Sequence, residues 1–518
     1  MVAVSAKPLN PIDPQDEVLA FLGSGSAFAG RGRPVRIDTH AASIFLAGTR
    51  AWKLKRAVRF DYLDFSTPER RRTALQTELS LNRRTAPALY RAVHAVTRDP
   101  DGRLAIDGGG ETVDWLLEMK RFPENALLDT MANRGRLDTA TLIRLADRIT
   151  DFHAVAAAIT IGAGSKRLQS VIDGNAASMA TFPAILAPAK VARLGARLSV
   201  MVAEFTAVLD ERGRTGRVRH AHGDLHLANI AMIDGEPTLF DCLEFSEDLA
   251  TIDVLYDLAF LLMDLWQRDL RTEANIVFNR YLDLSPADEG GITLLPLFLA
   301  VRATVRAHVF AAQSARTGGG ASLVSRARDY LDLAIDLLEL VVPRVVAIGG
   351  LSGTGKSTLA RALGGYLGRP PGARILRSDV LRKRLACLTP EMQLPATSYS
   401  SASGAEVYAK LNQMAAAALA GGLAVVADAV FAQRAQRDAI ATVAKHASVR
   451  FDGLWREAPK TLLLGRIASR GLDASDADAR VVAIQAQQAI GELNGWQAVT
   501  ATDEPGKLAA AALAVLNL

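Results

Sequence analysis

The first 120 residues alternate between short apolar runs and small residues that are typical of turns. Three of these runs come early in the chain: VRIDTH (35–40), ASIFLAG (42–48) and AWKLK (51–55). A helical pattern follows from Thr67 to about Arg84, and a further strand is predicted at TVDWLLEMK (112–120). Short apolar runs separated by turns indicate antiparallel strands. We therefore predict an antiparallel sheet with one helix packed against it.

A mainly helical region comes next. Most of 138–214 has helical periodicity, and two more helices between Leu294 and about Leu340 flank the loose stretch 314–322. Beyond Pro343, strand-like runs alternate with Ala- and Leu-rich helical segments. The runs are RVVAIGG (344–350), ARILRSD (373–379), LAVVAD (423–428) and VRFDGLW (449–455). This alternation predicts a parallel sheet whose ligand site lies at the carboxyl ends of the strands.

The pattern divides the chain into two predicted domains. Residues 1–341 are predicted to form a small mixed α+β lobe followed by a helical lobe, and residues 342–518 an α/β domain with a parallel sheet. The chain has 518 residues, of which 49% are hydrophobic and 22% charged, so it can bury large cores. A chain of this length holds about two to four folding units.

Composition excludes several classes of protein. We find no uninterrupted apolar stretch near the length of a membrane-spanning helix, and the start MVAVSAKPLNPIDPQDE lacks the apolar core of a signal peptide. We therefore expect a cytoplasmic protein that does not enter a membrane. The two cysteines, Cys242 and Cys387, are far apart, which excludes a disulfide framework and a four-cysteine zinc site.

The charge balance gives no strong indication of a polyanionic partner. The net charge is +5, and the basic residues are spread along segments that also carry Asp and Glu. The Arg-rich segment 68–84 has no interleaved aromatic residues of the kind that stack on bases. We interpret it as a solvated surface and do not expect nucleic acid as the main partner, although contact through this segment stays open.

A glycine-rich phosphate-binding motif begins the second domain. It consists of Gly350, Leu351, Ser352, Gly353, Thr354, Gly355, Lys356 and Ser357, and a helix is predicted from Thr358. The spacing satisfies G-x-x-x-x-G-K-[ST] directly after an apolar strand. In such a loop the backbone amides surround phosphates, the lysine reaches the terminal phosphates and the hydroxyl ligates Mg²⁺. The alternative is a Gly-rich turn that binds no nucleotide.

Three further features of this domain are typical of a kinase. Asp379 comes at the end of the second strand, with Arg382 one helical turn later as a substrate clamp. Asp428 closes an apolar strand, where it could hold a magnesium-bound water or simply cap the following segment. Arg466 and Arg470 lie at i and i+4, so they share one helix face, either as lid arginines or as a solvated surface.

These motifs resemble the small-kinase branch of P-loop proteins, which includes gluconate kinases, polynucleotide 5′-kinases and zeta-toxin-like sugar-nucleotide kinases. The resemblance covers roughly 344–518 and implies an AAA-type ATP-binding domain with the fold of P-loop NTPases. It also implies that Asp379 is the general base for a substrate hydroxyl. Substrates in these families range from small sugars to RNA ends, so the resemblance does not identify the acceptor.

The first domain carries a second set of phosphotransfer residues. His222-Gly-Asp224-Leu-His226-Leu-Ala-Asn229 is followed by an apolar strand and then Asp241. Phosphoryl transfer needs a carboxylate to orient the acceptor, an amide oxygen on Mg²⁺ and a second carboxylate on the metal. Asp224, Asn229 and Asp241 fit these roles, and the Asp-to-Asn spacing equals that of protein-kinase catalytic loops. The alternatives are a zinc cluster of His220, His222 and His226, or a polar loop that caps a helix.

The pattern H-G-D-x-H-x-x-N, followed by F-D-x-x-E (Phe240 to Glu244) and D-x-x-Y-D-L-A (Asp253 to Ala259), resembles the aminoglycoside phosphotransferase and choline kinase group. The resemblance covers roughly 35–340. It implies that the first domain is an α+β bilobal protein-kinase-like domain that uses ATP and Mg²⁺. Cys242-Leu243 follows Asp241 where protein kinases have Phe-Gly, which is usual in this group.

The ATP-binding side of the first domain is predicted upstream. Lys53 and Lys55 project from the same strand face, so alternation does not choose between them, and resemblance to the kinase strand favours Lys53. Glu78 is placed to pair with this lysine, unless it lies on an exposed helix face. Backbone groups around Glu118 and Lys120 would bind adenine at the hinge. No G-x-G-x-x-G precedes Lys53.

Together these features predict a kinase with two nucleotide sites that transfers the γ-phosphate of ATP to a hydroxyl of a small molecule. Sugar-like, aminoglycoside-like and amino-alcohol acceptors all fit. An aminoglycoside is polycationic, and the stretch from Glu244 to Asp269 is rich in acids. Asp253 and Asp257, however, are expected in any member of the group. One alternative is that one half only binds ATP and regulates the other. Another is that the P-loop half is a polynucleotide 5′-kinase or a nucleotide-sugar kinase.

Overall fold

The computed structural model divides into two compact units, Met1–Asp264 with Leu297–Asp336, and Leu265–Pro296 with Leu337–Leu518. It describes residues 15–516 apart from 29–31, 40, 61–62, 161, 396–397, 399, 460–462, 464, 467–473, 477–489 and 501–504. The second unit thus includes Leu265–Pro296, a segment that lies in the sequence range of the predicted first domain.

The first unit begins with a six-stranded antiparallel sheet, as the alternating apolar runs predicted. Its strands are β1 (Val35–Asp38), β2 (Ala42–Ala47), β3 (Arg50–Lys55), β6 (Tyr90–Arg98), β7 (Leu104–Ile106) and β8 (Glu111–Lys120). They are ordered β1-β2-β3-β8-β6-β7, and β4 (Arg59–Phe60) pairs separately with β5 (Leu63–Asp64). Sequence patterns did not predict β6 and β7. The β6 strand reads YRAVHAVTR, so its apolar alternation is interrupted by Arg and His.

One helix packed on this sheet positions a polar row of side chains. The helix α2 (Pro68–Arg83) begins where Thr67 caps it by accepting a hydrogen bond from the Arg70 N–H. Its buried face carries Glu78 and Asn82, one turn apart, instead of only apolar residues. Helices that bury polar groups must supply partners for them. The face of α2 that carries Glu78 and Asn82 is therefore a candidate part of a functional site.

The rest of the first unit is mainly helical. Its helices are α1 (Asp16–Ser24), α3 (Leu128–Asn133), α4 (Thr139–Val155), α5 (Gly164–Ala180), α6 (Pro188–Glu204), α7 (Thr206–Arg214), α8 (Glu247–Ala250), α9 (Val254–Gln267), α11 (Leu295–Thr317) and α12 (Ala321–Asp336). Two antiparallel strand pairs lie among them: β9 (Val218–His220) with β12 (Thr251–Asp253), and β10 (Ile230–Ile233) with β11 (Glu236–Leu239). The loop between β9 and β10 holds the predicted catalytic residues.

The second unit contains a five-stranded sheet in which every pairing is parallel, which confirms the predicted fold class. Its order is β14-β15-β13-β16-β17. The strands are β13 (Arg344–Gly349), β14 (Arg374–Arg377), β15 (Val425–Asp428), β16 (Arg450–Glu457) and β17 (Trp496–Thr500). The helices are α10 (Arg271–Leu284), α13 (Lys356–Gly364), α14 (Ser378–Leu385), α15 (Ser401–Ala420), α16 (Arg434–His446) and α17 (Pro505–Val515). Sequence patterns predicted four of these strands and missed β17.

The segment Leu265–Pro296 is joined to the parallel sheet by buried polar contacts. The Asn275 amide on α10 donates to the carbonyl oxygens of Pro371 and Ala373, at 3.1 and 2.9 Å. The buried Arg374 guanidinium at the start of β14 pairs with Asp283 at 2.8 Å and Glu289 at 2.7 Å. A buried guanidinium is stable only when carboxylates neutralise it. This segment is therefore part of the second unit's core.

One helical stretch in the described part of the chain, Pro286–Thr317, is long and apolar enough to cross a membrane by length and composition alone. It escapes a search for uninterrupted apolar runs because charged side chains such as Arg302 interrupt it. Of its most apolar window, 83% is buried inside the protein, as in the core helices of soluble proteins. It is weak evidence for a membrane span.

Candidate active sites

In the first unit, the structure brings Asp224 and Asn229 together on the loop after β9. The Asn229 side-chain NH2 donates to the Asp224 carboxylate at 2.9 Å and to its carbonyl oxygen at 3.0 Å. The His226 Nε2 lies 3.4 Å from the same carboxylate. Because the amide nitrogen of Asn229 is used internally, its amide oxygen is the group that remains for a ligand.

Buried side chains that sequence reasoning did not assign to the site hold this loop in place. The Asp257 carboxylate accepts the backbone N–H groups of His222 at 3.1 Å and of Gly223 at 2.9 Å. The Arg302 guanidinium donates to the Gly223 carbonyl at 3.0 Å, and Asp264 accepts the Leu227 N–H at 3.0 Å. Asp257 and Asp264 thus have structural roles in fixing the loop backbone.

Lys53 on β3 lies between two carboxylates. Its ammonium is 2.6 Å from Glu78 Oε1 and 3.0 Å from Asp241 Oδ1. Lys55, two residues on and on the same strand face, contacts the other oxygen of Glu78 at 2.6 Å and Glu244 at 2.5 Å. Both lysines therefore bind Glu78, but it is Lys53 that links it to Asp241. The contact with Asp241 therefore distinguishes Lys53 from Lys55, which the alternation of side chains along the strand did not.

Asp241 is positioned through its backbone. Its φ of +60° lies in the left-handed region, and its N–H donates to the Tyr90 hydroxyl at 3.1 Å. The next N–H, of Cys242, donates to the Asn82 amide oxygen at 2.8 Å. One signal for Asn82 is visible before folding is considered: it follows Glu78 by four residues and so lies on the same face of α2.

The charges of this site are fixed by their neighbours. Burial alone would raise the pKa of Glu78, but the Lys53 and Lys55 ammonium groups lower it to about 2. Burial would lower the pKa of Lys53, and the carboxylates of Asp241 and Glu78 instead raise it well above its ordinary value. The two lysines and Glu78 are therefore charged across the physiological pH range.

Asp224 is kept ionised in the same way. Burial raises the pKa of its carboxyl, but the contact with His226 and the nearby Arg306 and His222 outweigh this effect and lower the pKa below its usual range. An ionised carboxylate can accept a hydrogen bond from a hydroxyl group.

Several groups of the predicted adenine hinge are used in contacts within the protein. The Lys120 N–H donates to the Leu89 carbonyl at 2.8 Å, so it is not available to adenine. The Lys120 ammonium pairs with Asp234, and the Glu118 side chain is buried between Arg50 at 3.1 Å and His94 at 3.0 Å. The side chains of Glu118 and Lys120 are thus engaged within the fold.

Two of the three histidines considered as zinc ligands have other contacts. The His222 Nε2 lies 2.9 Å from the Phe240 carbonyl oxygen, and His226 faces Asp224. Within the described residues, no group of three or more His, Cys, Asp and Glu side chains is placed to hold a metal ion. The geometry of this loop therefore favours the kinase interpretation over a zinc site.

In the second unit, the glycine-rich loop joins β13 to α13. Gly353 and Gly355 both have φ of +86°, a conformation that L side chains rarely adopt. A Cβ at Gly350, whose φ is +135°, would lie 2.5 Å from the Arg456 carbonyl oxygen. The Lys356 ammonium donates to the Leu351 carbonyl at 3.0 Å, which folds its side chain back over the loop. The loop has the shape that surrounds phosphates.

Two predicted carboxylates converge on this loop. The Ser357 hydroxyl donates to Asp428, the last residue of β15, at 2.6 Å. Asp379 lies in the first turn of α14 instead of at the end of β14. Burial raises the pKa of Asp379, and the charges of Arg377 and Lys356 oppose this effect. Arg377 also lies 3.6 Å from the Asp428 carboxylate.

Several arginines lie near the loop, and their roles differ. Arg456 is buried and donates to the Thr354 carbonyl within the loop at 3.1 and 3.3 Å, a role that sequence reasoning missed. A Cβ at Gly355 would lie 3.7 Å from an Arg466 guanidinium nitrogen, so Arg466 reaches the loop. Arg470 lies outside the described residues. The predicted clamp, Arg382, donates to the Ser398 carbonyl at 3.0 Å.

Comparison with known proteins finds two family models that match separate parts of the chain. A family model described as "Phosphotransferase enzyme family" matches residues 65–291, and a model described as "AAA domain" matches residues 345–490. The chain is 30% identical over 468 residues to "Uncharacterized protein Rv2004c" of Mycobacterium tuberculosis (strain ATCC 25618 / H37Rv), covering 87% of this chain and 89% of the relative. "Uncharacterized protein Mb2027c" of Mycobacterium bovis matches with the same values.

The chain belongs to the family of these mycobacterial proteins. The present chain joins a phosphotransferase domain to an AAA-type P-loop domain within one polypeptide. The resemblances on which the sequence prediction rested are confirmed by these matches. With this domain composition, the chain is an ATP-dependent kinase.

Solved structures are similar only at a low level. A choline/ethanolamine kinase family protein from Mesorhizobium loti is 15% identical, covers 63% of this chain and 95% of its own, and has a TM-score of 0.36. A gluconokinase from Sinorhizobium meliloti 1021 is 18% identical, covers 34% of this chain and 93% of its own, and has a TM-score of 0.26. Scores this low carry no argument about substrates.

Proposed function

We propose that the protein is a kinase with two phosphotransfer centres, one in each unit, that transfers the γ-phosphate of ATP to hydroxyl groups of small molecules. The observation that carries the proposal is that each unit holds its own complete set of charged groups. Lys53, Glu78 and Asp241 form one connected set, and Lys356, Ser357 and Asp428 surround the loop of the other.

In the first centre, the chain's own residues would orient the acceptor and the nucleotide. Asp224 would accept the hydrogen bond of the acceptor hydroxyl and take its proton as the new phosphate ester forms. Lys53 would bind the nucleotide phosphates, and the contact between its ammonium and Glu78 at 2.6 Å would keep it in place. The ionised state of Asp224 suits the role of base.

In the second centre, the amides of the loop from Gly350 to Gly355 would surround the phosphates at the start of α13. Lys356 would leave the Leu351 carbonyl to reach the terminal phosphates. Asp379 would act on the acceptor hydroxyl, and Arg466 would approach the transferring group from the other side of the loop. Arg470 would share this last role.

Both centres have donor sets that fit Mg²⁺. Hard divalent cations prefer carboxylate, amide and hydroxyl oxygens. In the first centre these are Asp241 and the amide oxygen of Asn229, which the contacts with Asp224 leave unused. In the second they are Ser357 and Asp428, already 2.6 Å apart. Bound Mg²⁺ neutralises charge on the phosphate groups during transfer.

The test is ATP consumption by the full chain with a panel of acceptors: sugars, amino alcohols, aminoglycosides, nucleotide sugars and 5′-hydroxyl oligonucleotides. The measurement is repeated with Asp224→Ala and with Lys356→Ala. We expect each variant to lose turnover of a different acceptor. If one variant is without effect on every acceptor, that half is regulatory, and turnover of an oligonucleotide would instead identify a polynucleotide 5′-kinase.

A further inference from the structure

Four of the acidic residues that follow Asp241 are used inside the first unit. Glu244 is bound to Lys55 at 2.5 Å, and the Asp253 carboxylate accepts from two nitrogens of the buried Arg212 guanidinium, at 2.6 and 2.7 Å. Asp257 and Asp264 accept backbone N–H groups of the catalytic loop. None of these four carboxylates is placed to neutralise a polycationic acceptor.

On α11, in contrast, one arginine near the catalytic loop forms no salt bridge with a described carboxylate. Arg306 lies on α11 one turn after Arg302, which itself donates to the carbonyl of Gly223, the residue before Asp224. The guanidinium of Arg306 acts electrostatically on Asp224. Within the described part of the chain, Arg306 forms no salt bridge, although it is half-buried. A cation that is partly removed from water and unpaired favours an anionic ligand.

A second arginine, Arg326, contacts the same aromatic ring as Arg306. The Arg306 guanidinium lies 4.7 Å from the centre of the Phe310 ring and 5.8 Å from that of Tyr330. Arg326, on α12, lies 4.0 Å from the same Phe310 ring and forms no salt bridge with any described residue. The two rings stack at 5.6 Å. Both guanidinium groups thus lie against the Phe310 ring. Guanidinium groups held in this way can bind the oxygens of a carboxylate or phosphate.

We infer that the first centre takes a hydroxylated acceptor that carries a carboxylate or phosphate group, and that Arg306, with Arg326, binds this group. The inference rests on the proposed function, because it assigns the hydroxyl of the same acceptor to Asp224. It also excludes polycationic acceptors such as aminoglycosides, whose charge would be repelled by the two guanidinium groups.

The experiment compares hexoses that differ in one group: glucose, glucosamine, glucuronate and glucose 6-phosphate. ADP release is measured in the full chain carrying Lys356→Ala, which silences the second centre. Arg306→Gln and Arg326→Gln are compared with Arg316→Gln, an exposed arginine on the same helix. Binding of glucose 6-phosphate is followed in parallel by calorimetry, and thermal unfolding checks that each variant is folded.

We expect the anionic hexoses to be preferred and Arg306→Gln to reduce kcat/KM for them by about 10- to 100-fold, the usual size of a charge-assisted hydrogen bond. Arg326→Gln should have a smaller effect in the same direction, and Arg316→Gln none. Turnover that favours glucosamine, or that is unchanged by Arg306→Gln, would overturn the inference and leave the kinase proposal intact. Binding of glucose 6-phosphate that needs Arg306, without turnover of any hexose, would support the anion site and count against the kinase proposal. The absence of both would overturn the inference, and the acceptor panel described above would then test the kinase proposal by itself.

Discussion

The two proposed centres differ in the electrostatic surroundings of the carboxylate that we assign to the acceptor hydroxyl. Asp224 in the first unit is surrounded by His226, Arg306 and His222, whose charges lower its pKa. Asp379 in the second unit is buried, and desolvation together with the negative charge of Asp428 raises its pKa. The neighbours of Asp224 thus favour its ionised form, whereas burial favours the neutral form of Asp379.

The centres also differ in how the chain builds them. The ion pairs of the first centre join residues far apart in sequence, since Lys53 contacts Glu78 across 25 residues and Asp241 across 188. The second centre is built around one contiguous loop, with Asp428 brought in by the neighbouring parallel strand. A centre made from distant segments depends on the whole fold, whereas a local loop depends mainly on its own backbone conformation.

The largest effect is expected from replacing the two carboxylates themselves. Asp224→Asn and Asp379→Asn should each lower kcat by about 10²- to 10⁴-fold for the acceptor of its own centre, the usual contribution of a general base. Each should leave the other acceptor's turnover unchanged. ADP release measured separately with the two acceptors checks this. A single substitution that abolished both activities would show that the chain has one centre instead of two.

The next largest effect concerns the stability of the second unit. Arg374→Met would leave Asp283 and Glu289 without their buried partner, so we expect the free energy of unfolding to fall by about 3–5 kcal/mol. Thermal unfolding of the full chain measures this. The control is Arg434→Met, which removes an exposed pair with Asp438 and should change stability by less than about 0.5 kcal/mol. Equal effects of the two substitutions would contradict the role of Leu265–Pro296 in this core.

A smaller contrast separates the two lysines of the first centre. Lys53→Met should lower kcat at this centre by about 10²- to 10³-fold, as loss of one group that stabilises the transition state does. Lys55→Met should chiefly lower the melting temperature, because it leaves Glu244 unpaired, and should keep kcat within about tenfold. Kinetics and thermal unfolding of both variants decide the assignment. The reverse result would make Lys55 the nucleotide lysine.

The smallest effect is a difference in pH dependence. A base is active only when deprotonated, so activity falls as pH drops through its pKa. Because the pKa of Asp379 is raised and that of Asp224 is lowered, the second centre should lose activity at higher pH than the first. Profiles of kcat against pH for the two acceptors provide the measurement. Acid limbs in the opposite order would contradict the assigned bases.

Much of this organisation could be predicted from the sequence because local rules govern it. The loop from Gly350 to Ser357 needs a fixed spacing and glycines at positive φ, so it can be found in the sequence alone. The same holds for Asp224 and Asn229, which bind each other across five residues. The helix α2 begins and ends within one residue of its predicted bounds, because Thr67 and the following Pro68 define its start.

Other features depended on segments that meet only in the folded chain. The strand β17 pairs with β16 in parallel, and its five residues carry no distinctive pattern. The assignment of Leu265–Pro296 to the second unit depends on the contacts of Arg374 with Asp283 and Glu289, which lie 91 and 85 residues away in the sequence. The choice between Lys53 and Lys55 needed the position of Asp241. Sequence alone determined the chemistry and the fold class, because motifs and hydrophobic periodicity are local. Tertiary structure decided which charges are paired and which, such as Arg306, form no salt bridge with a described residue, because pairing is a property of spatial neighbours.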